Sequence, residues 1–363
     1  MTRVLDWFTS TLGRLVISVF VPVVTFIVLW QGFIFLRESE ANKAFIAIVA
    51  IIWGVGGVAA LYLVANRIIE QLSDEWTRRL QPFVFVGPAA AILIWYLALP
   101  TLRTLIKSFQ NHNSTAWVGL KNYYDIFFEQ RVMLEAVRNN VLWILIGATL
   151  AVAFGLLIAV LADRSKFESI AKSLIFLPMA ISMVGAGVIW NFIYEVKGVG
   201  DPQIGLLNAI WVGLGGVPQA WTAMLQPWNN FFLIIIMVWL QTGYAMVLFS
   251  AAIKGIPSEL LEASRVDGAT ETQVFLRIMI PYIMGTIITV STTIVIFTLK
   301  IFDVVQVMTG GQFGTHVIAT QFYRQAFTAR NAGYASAIAI FLLLAVVPVM
   351  IYNLRQFREQ EAF

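Results

Sequence analysis

The segment IPSELLEASRVDGATETQVFLRIMIP, residues 256–281, is the longest polar interruption in the C-terminal half of the chain. Long apolar runs flank it on both sides. A helix that crosses a bilayer needs roughly 20 mostly apolar residues. The flanking runs therefore predict membrane helices, and the segment between them predicts a loop outside the membrane.

The residues of this segment predict an ordered loop. Ser258 follows Pro257 and is expected to cap a helix whose first turn carries Glu259 and Glu262, because carboxylates favour the positive end of the helix dipole. Leu260, Leu261 and Val266 are expected to form the apolar side of that helix.

A glycine divides the segment into two parts. Gly268 is expected to end the first helix, and Thr270 and Gln273 have the spacing of a capping box for a second one. Two short amphipathic helices joined at a glycine form a compact surface that is suited to docking.

The segment resembles the EAA loop of ABC-importer permeases of the carbohydrate-uptake branch. The family pattern is Glu-Ala-Ala, two variable residues and Asp-Gly-Ala, followed by Phe, Ile and Leu-Pro. Ser264 stands for the second alanine and Ile280 for the leucine. The matching residues are Glu262, Ala263, Ser264, Asp267, Gly268, Ala269, Phe275, Ile278, Ile280 and Pro281.

This resemblance implies that the loop seats in a cleft on a separate ATPase subunit. Glu262 would pair with a basic residue of that subunit, Ala263 and Ser264 would permit close approach, and Gly268 would provide the turn beside Asp267. The resemblance also implies a second, similar permease, two ATPase subunits that bind ATP and Mg, and an external sugar-binding protein. It places the loop in the cytoplasm and the chain in a bacterial inner membrane.

The composition supports a membrane protein. Hydrophobic residues make up 59% of the 363 residues and charged residues only 12%, which excludes an ordinary soluble domain. The net charge of +4 is spread over the loops, so nucleic acid is not an expected partner. There is no cysteine, and His112 and His316 lie in separate polar loops, so no metal site is expected.

Apolar runs predict an all-α polytopic protein with about eight transmembrane helices. A Gly-, Pro- and Trp-rich stretch before the sixth run is expected to be an interfacial or re-entrant segment, because it contains Trp211, Trp221 and Trp228. The predicted spans are Leu15–Leu36, Ala44–Ala65, Phe83–Ile106 (broken by Pro88 and Pro100), Asn140–Ala162, Ser173–Tyr194, Phe231–Ala252, Tyr282–Phe302 and Tyr334–Leu354.

The family resemblance covers roughly Pro82 to Glu359. Besides the loop, it is carried by VGLKNYYDIFFEQ, LIFLPMAIS and FDVVQVMTGGQFG. It implies a six-helix permease core over residues 81–363, preceded by a two-helix extension over residues 1–80. The distribution of Lys and Arg between loops is nearly even, so the orientation depends on the resemblance.

No catalytic pattern is present. The chain has no Gly-rich phosphate loop ending in Lys-Ser or Lys-Thr, no HExxH and no GxSxG. An ion-driven carrier often has ionisable residues within its spans, and here only Arg103 and Lys300 lie close to span ends. We therefore expect a transporter subunit that is not an enzyme and binds no cofactor itself.

The solute path is expected in the sixth and seventh spans. Leu240, Gln241 and Tyr244 share a helix face, and this stretch resembles the part of the maltose permease that lines its sugar. Phe297, Thr298 and Ile301 occupy the matching positions of the seventh span. Asparagines of that permease are replaced by Thr298 and Ile301, so its specificity does not carry over; helix packing is the alternative role for these polar residues.

The sequence thus predicts the permease subunit of an ATP-driven importer for a di- or oligosaccharide or a glycoside. An importer for glycerol phosphate or a polyamine is one alternative, since such importers share the loop. An ion-coupled secondary transporter is the alternative from another class.

Overall fold

The structure is a computed structural model that describes residues 11–70, 74–163 and 165–361, with side chains from residue 23 to residue 355 in these ranges. The described residues form α-helices with short 3-10 and π-helical turns, and no β-strand occurs among them. The all-α class is therefore confirmed.

The described residues up to Leu102 form one compact unit. It contains α1 (Thr11–Glu38), α2 (Lys43–Ile69) and most of α3, which runs from Asp74 to Lys107. Asn42 caps α2, because its side chain accepts a hydrogen bond from the Ala44 N–H. The first two helices pack closely, since a Cβ at Gly57 would lie 2.7 Å from Leu29 Cδ2.

The second unit begins at Arg103. Single helical turns occur at Lys121–Tyr124, Asp125–Glu129, Trp221–Ala223 and Arg324–Thr328. The longer helices are α4 (Arg131–Asp163), α5 (Glu168–Ala180), α6 (Met183–Tyr194), α7 (Leu206–Gly213), α8 (Trp228–Lys254), α9 (Ser258–Val266), α10 (Glu271–Tyr282), α11 (Met284–Leu299), α12 (Asp303–Met308), α13 (Ile318–Tyr323) and α14 (Ala332–Glu361).

Each predicted span corresponds to a helix or a helix pair. Among the described residues, α2, α3, α4, α8 and the Ala332–Arg355 part of α14 are long and apolar enough to cross a membrane. The bent pairs α5–α6 and α10–α11 raise that number from 5 to 7 if each pair is one span. The first predicted span forms α1, whose N-terminal side chains lie outside the described residues.

One predicted span contains a bend that the apolar pattern did not predict. The helix pair α5–α6 bends by 103° within the predicted span Ser173–Tyr194. The pair α10–α11 bends by 70° at Ile283, next to the predicted boundary between the 256–281 loop and the seventh span. At the first bend Ile181 is extended and the Ser182 side chain caps α6 by accepting from the Gly185 N–H at 3.0 Å. The predicted span from Ser173 to Tyr194 is therefore a bent pair of helices and not one straight helix.

The third predicted span is a membrane-length helix, but the breaks predicted within it are wrong. Pro88 and Pro100 were expected to break it, yet α3 continues through both residues to Lys107. A proline removes one backbone hydrogen bond, and the π-helical turn Ile94–Ala98 lies between the two prolines. A π-helical turn accommodates such a local change without ending the helix.

Glycines bring three helices of the second unit into backbone contact. A Cβ at Gly155 of α4 would lie 2.4 Å from Ala245 Cβ of α8. A Cβ at Gly243 of α8 would lie 2.6 Å from the Ile175 carbonyl oxygen of α5. Small residues permit this close packing in membrane helices, and it fixes α4 and α5 against α8.

The Trp-rich stretch before α8 contains the apolar helix α7. Trp221 is buried and its ring meets that of Trp211 edge-on at 6.1 Å. Trp211 and Trp228 are exposed, and their interfacial position remains a prediction. For Trp221 the structure shows a packing role instead.

Candidate functional site

The loop of residues 256–281 folds as the two helices α9 and α10. Thr270 Oγ1 accepts from the Gln273 N–H at 3.4 Å and Gln273 Oε1 accepts from the Thr270 N–H at 2.8 Å, which completes the predicted capping box. The predicted cap at Ser258 is wrong. Pro257 occupies the capping position, no side chain caps α9, and Ser258 is its first helical residue.

The turn between α9 and α10 requires its glycine. Gly268 has φ +85°, its N–H donates to the Arg265 carbonyl at 3.0 Å, and the Ala269 N–H donates to the Ser264 carbonyl at 3.1 Å. These two bonds form a Schellman motif. An added Cβ would meet no atom within 4 Å, so the requirement concerns backbone conformation, which costs other residues about 1–2 kcal/mol.

One side of the loop is buried against the spans of the same chain. Ile256, Val274 and Met279 form a buried cluster with Ile283, against which Leu261 packs. Side chains of α4, α8 and α11 complete this cluster, namely Leu156, Ile253 and Ile287. The loop is therefore attached to three membrane helices.

The predicted apolar side of α9 was only partly right. Leu261 contacts the buried cluster, whereas Leu260 is 42% exposed and Val266 is 87% exposed. Ser264 is instead buried, and its hydroxyl donates to the Leu261 carbonyl at 2.7 Å. The buried side thus includes the serine that replaces the family's alanine.

The other side of α9 is exposed and acidic. Glu259, Glu262 and Asp267 are exposed and make no side-chain hydrogen bond or ion pair with the described residues. Arg265 forms an ion pair with Glu271 at 2.7 Å, and this hydrogen bond raises the pKa of Arg265. Ala263 is also exposed on α9, so the surface combines free carboxylates with a small residue.

The structure brings three of the predicted solute-path residues together, namely Leu240, Phe297 and Ile301. Leu240 and Ile301 belong to one buried cluster, and Phe297 packs against it. The fully buried Thr298 donates its hydroxyl to the Ile294 carbonyl at 2.7 Å, and the same oxygen lies 3.9 Å from Met237 Sδ. Leu240, Thr298 and Ile301 are thus interior residues of this chain.

Gln241 and Tyr244 differ from these interior residues. Both side chains are half-buried at the middle of α8. Neither the Gln241 amide nor the Tyr244 hydroxyl makes a hydrogen bond with the described residues. Hydrocarbon cannot satisfy such groups, so they require water, a solute or another protein chain beside them.

A separate pocket of about 420 Å³ lies between α4, α5, α6 and α8. Trp190, Trp239 and Thr242 line it together with aliphatic side chains. The Thr242 hydroxyl already donates to the Val238 carbonyl at 2.7 Å. None of the predicted solute-path residues lines this mainly apolar pocket.

Four buried asparagines, which the sequence analysis did not identify, join helices at the opposite end of the second unit from the loop. Asn139 donates to the Gly314 and His316 carbonyls, both at 2.8 Å. Asn140 accepts from the Ile318 N–H at 2.8 Å. Asn229 donates to the Phe313 carbonyl at 2.6 Å, and Asn230 accepts from the Trp143 indole at 3.2 Å.

Two Asn-Asn pairs, each near the start of an apolar run, are the signal that could have revealed this cluster. The cluster attaches the 313–318 segment to α4 and α8. The His316 ring in this segment is half-buried. Burial, followed by the charge of Arg324, lowers the pKa of His316.

The fold and the 256–281 loop together define a class of protein. It is a membrane protein with several spans, and its ordered loop exposes carboxylates that have no ion-pair partner among the described residues. Residues 151–358 match the family of binding-protein-dependent transport system inner membrane components. The chain belongs to this family. It is thus a transport-system permease of the inner membrane, neither an enzyme nor the ion-coupled carrier that the sequence also allowed.

Two relatives show the same membership. The osmoprotective compounds uptake permease protein GgtC of Synechocystis is 52% identical over 278 residues, which are 77% of this chain and 99% of that protein. The alpha-glucoside transport system permease protein AglF of Rhizobium meliloti is 47% identical over 277 residues, or 76% of this chain and 82% of that protein.

Solved structures show the same fold. A crystal structure of a bacterial alginate ABC transporter with an alginate-bound periplasmic protein matches with a TM-score of 0.67 at 19% identity, covering 78% of this chain and 96% of that chain. A second structure of a bacterial alginate importer gives 0.68 at 20% identity, covering 79% and 99%. The predicted permease fold is confirmed.

Proposed function

We propose that the chain is the permease subunit of an ATP-driven importer for a di- or oligosaccharide or a glycoside, delivered by an external binding protein. The alpha-glucoside permease at 47% identity supports this solute class. An arabinooligosaccharide permease of Bacillus subtilis, at 26% identity, supports it more weakly. Residues 81–363 would form the permease core and residues 1–80 an extension.

The observation that carries the solute assignment is the pair Gln241 and Tyr244. Their polar groups are half-buried and unpartnered in an apolar helix. An amide provides a donor and an acceptor, and a phenol ring provides a flat apolar face beside its hydroxyl. Hydroxyl-rich solutes match this combination without burying a charge.

Charged solutes fit these helices less well. Among the residues of α8 and α11, the only charged side chain is Lys254, at the loop end of α8. A glycerol phosphate or a polyamine would require an opposite charge along the path. The name of the Synechocystis relative favours an osmoprotective solute as a second candidate, and a neutral glycoside would satisfy both assignments.

Energy would come from partner subunits. The exposed side of α9 carries Glu259, Glu262 and Asp267 without ion-pair partners, which suits a basic cleft. We infer that two ATPase subunits bind ATP and Mg, and that one of them receives α9 and α10 in a cleft on the cytoplasmic side. A second permease of the same family would complete the path, and Gln241 and Tyr244 would face it.

The test is to purify the complex from native membranes through a tag on this chain and to identify its subunits by mass. The complex is then reconstituted with its binding protein and given radiolabelled sucrose, maltose, glycine betaine or putrescine. We expect ATP-dependent uptake of at least one of the two sugars, unaffected by an ionophore. Uptake that requires an ion gradient, or transport of only the charged solutes, would contradict the proposal.

A further inference from the structure

Ionic side chains join three helices beside the loop of residues 256–281. The C-terminal end of α4, the N-terminal end of α5 and the C-terminal end of α8 meet there. We call the group of side chains at this junction the loop-end ion cluster. It consists of Asp163, Glu168, Lys172, Ser250 and Lys254.

Lys172 is the centre of the cluster. Its ammonium group donates to Asp163 of α4, to the Ser250 hydroxyl of α8 and to Glu168 of its own helix, the last at 2.6 Å. The Ser250 hydroxyl donates to Asp163 at 2.8 Å. Lys254 donates to Glu168, so α8 contacts both carboxylates.

The central pair is shielded from solvent. The Asp163 side chain is 12% exposed and that of Lys172 is 17% exposed. A shielded ion pair adds little net stability, since apolar side chains of the same size are often as good, whereas removing one partner leaves a costly unpaired charge. Such a pair is better suited to fixing the register of helices than to stabilising the fold.

The cluster lies between the two functional regions of α8. Gln241 and Tyr244 precede it, and with a rise of about 1.5 Å per residue Ser250 lies about 9 Å beyond Tyr244 along the axis. Lys254 ends the helix immediately before the loop. Because α8 is continuous over this distance, a displacement of the loop moves Ser250 and Lys254 together.

The cluster also links α8 to the neighbouring helices α4 and α5. Gly155 and Gly243 hold α4 and α5 in backbone contact with α8. Asp163 and Lys172 join the ends of these helices to α8 through hydrogen bonds with the Ser250 hydroxyl. The helix α5 leads into α6 through the 103° bend. A movement of α8 is therefore transferred to both neighbours.

We propose that Asp163, Lys172 and Ser250 are positioning residues that couple movement of the loop to α4 and α5, and so ATP hydrolysis to solute movement. This proposal rests on the proposed function. It assigns a role in transport to three residues that belong neither to the proposed solute path nor to the 256–281 loop. The alternative is that these residues only hold the folded chain together.

The test compares uptake and ATP hydrolysis on the same vesicles that contain the native complex and its binding protein. Radiolabelled sucrose and maltose are the probes. For Lys172→Met we expect the uptake per ATP hydrolysed to fall about 5- to 150-fold, the range of ordinary coupling free energies. Lys172→Arg, which retains the charge, should restore most of the ratio. Lys166→Met changes an exposed lysine between α4 and α5 and should leave the ratio unchanged.

The ratio separates coupling from folding. If Lys172→Met lowers the amount of complex, the uptake and the ATP hydrolysis by the same factor, the ratio of uptake to hydrolysis is unchanged. The cluster then only stabilises the folded complex, and the proposal is wrong. If that variant does not assemble, Ser250→Ala decides, because it removes a single hydroxyl; an unchanged ratio overturns the proposal. Lack of ATP-dependent uptake in the unaltered complex contradicts the proposed function itself and the coupling role with it.

Discussion

At the scale of single residues, Gln241 is the side chain whose environment most needs an explanation. We expect Gln241→Leu to reduce sugar uptake about 5- to 150-fold, because one lost buried hydrogen-bond partner costs roughly 1–3 kcal/mol. Tyr244→Ala should also reduce uptake, while assembly and basal ATP hydrolysis stay close to those of the parent. The measurement is uptake and hydrolysis on the same reconstituted complexes.

The control for this change is Gln31→Leu, which makes the same substitution in the exposed Gln31 of α1. Parental uptake of every tested sugar by Gln241→Leu would show that this residue belongs to helix packing. Thr298 is expected to matter less, because its hydroxyl already donates to its own helix. Its role as a solute contact, like those of Leu240, Phe297 and Ile301, remains a prediction.

At the scale of elements, the turn between α9 and α10 depends on one backbone conformation. Gly268→Leu should insert into the membrane normally but uncouple or release the ATPase, because a leucine at φ +85° strains the turn that orients α9. Glu262→Ala should act in the same direction and more mildly, since it removes one exposed carboxylate. Retention of the ATPase subunits after purification, together with uptake, measures both effects.

Gly255→Ala is the control, because Gly255 is the C-cap of α8 immediately before the loop. Its φ of −78° is ordinary for an alanine. An added Cβ would lie 3.3 Å from the Ala252 carbonyl oxygen, a contact that a small shift relieves, so this variant should stay close to the parent. Normal uptake and normal ATPase retention with Gly268→Leu would refute the docking role of the loop. A loss with both glycine variants would indicate sensitivity to added side-chain volume, not to backbone conformation.

At the scale of the whole molecule, the N-terminal helices are the part without an assigned role. Removing residues from Met1 to about Arg79 should impair insertion or assembly more than solute selectivity, because α1 and α2 are mainly apolar along their length. The amount of assembled complex and the relative uptake of sucrose and maltose are the two readouts.

A deletion that ends before Asp74, where α3 begins, is the control for damage to α3 itself. A shortened chain that assembles normally and prefers a different sugar would place part of the solute site in the first two spans. A chain that fails to assemble in both deletions agrees with a role in insertion.

Much of the fold and part of the site could be predicted because the signals act between near neighbours. Runs of about 20 apolar residues predict spans by their length alone. Gly268 and the Thr270–Gln273 capping box determine the turn between α9 and α10 through bonds over a few residues. The missed bend at Ile181 is also local, but the apolar pattern continues through it and does not indicate a change in helix direction.

The sequence by itself determined the all-α class, the positions of the spans and the turn in the 256–281 loop, since these depend on composition and short spacings. Only the tertiary structure decided that Ser264 and Thr298 are buried, that Val266 is exposed, and that Gln241 lacks a partner. Only the tertiary structure shows the hydrogen bond between Asp163 and Ser250, which are 87 residues apart in the chain. The physical reason is that burial and pairing are set by helix packing, which brings together residues whose separation in the chain carries no signal.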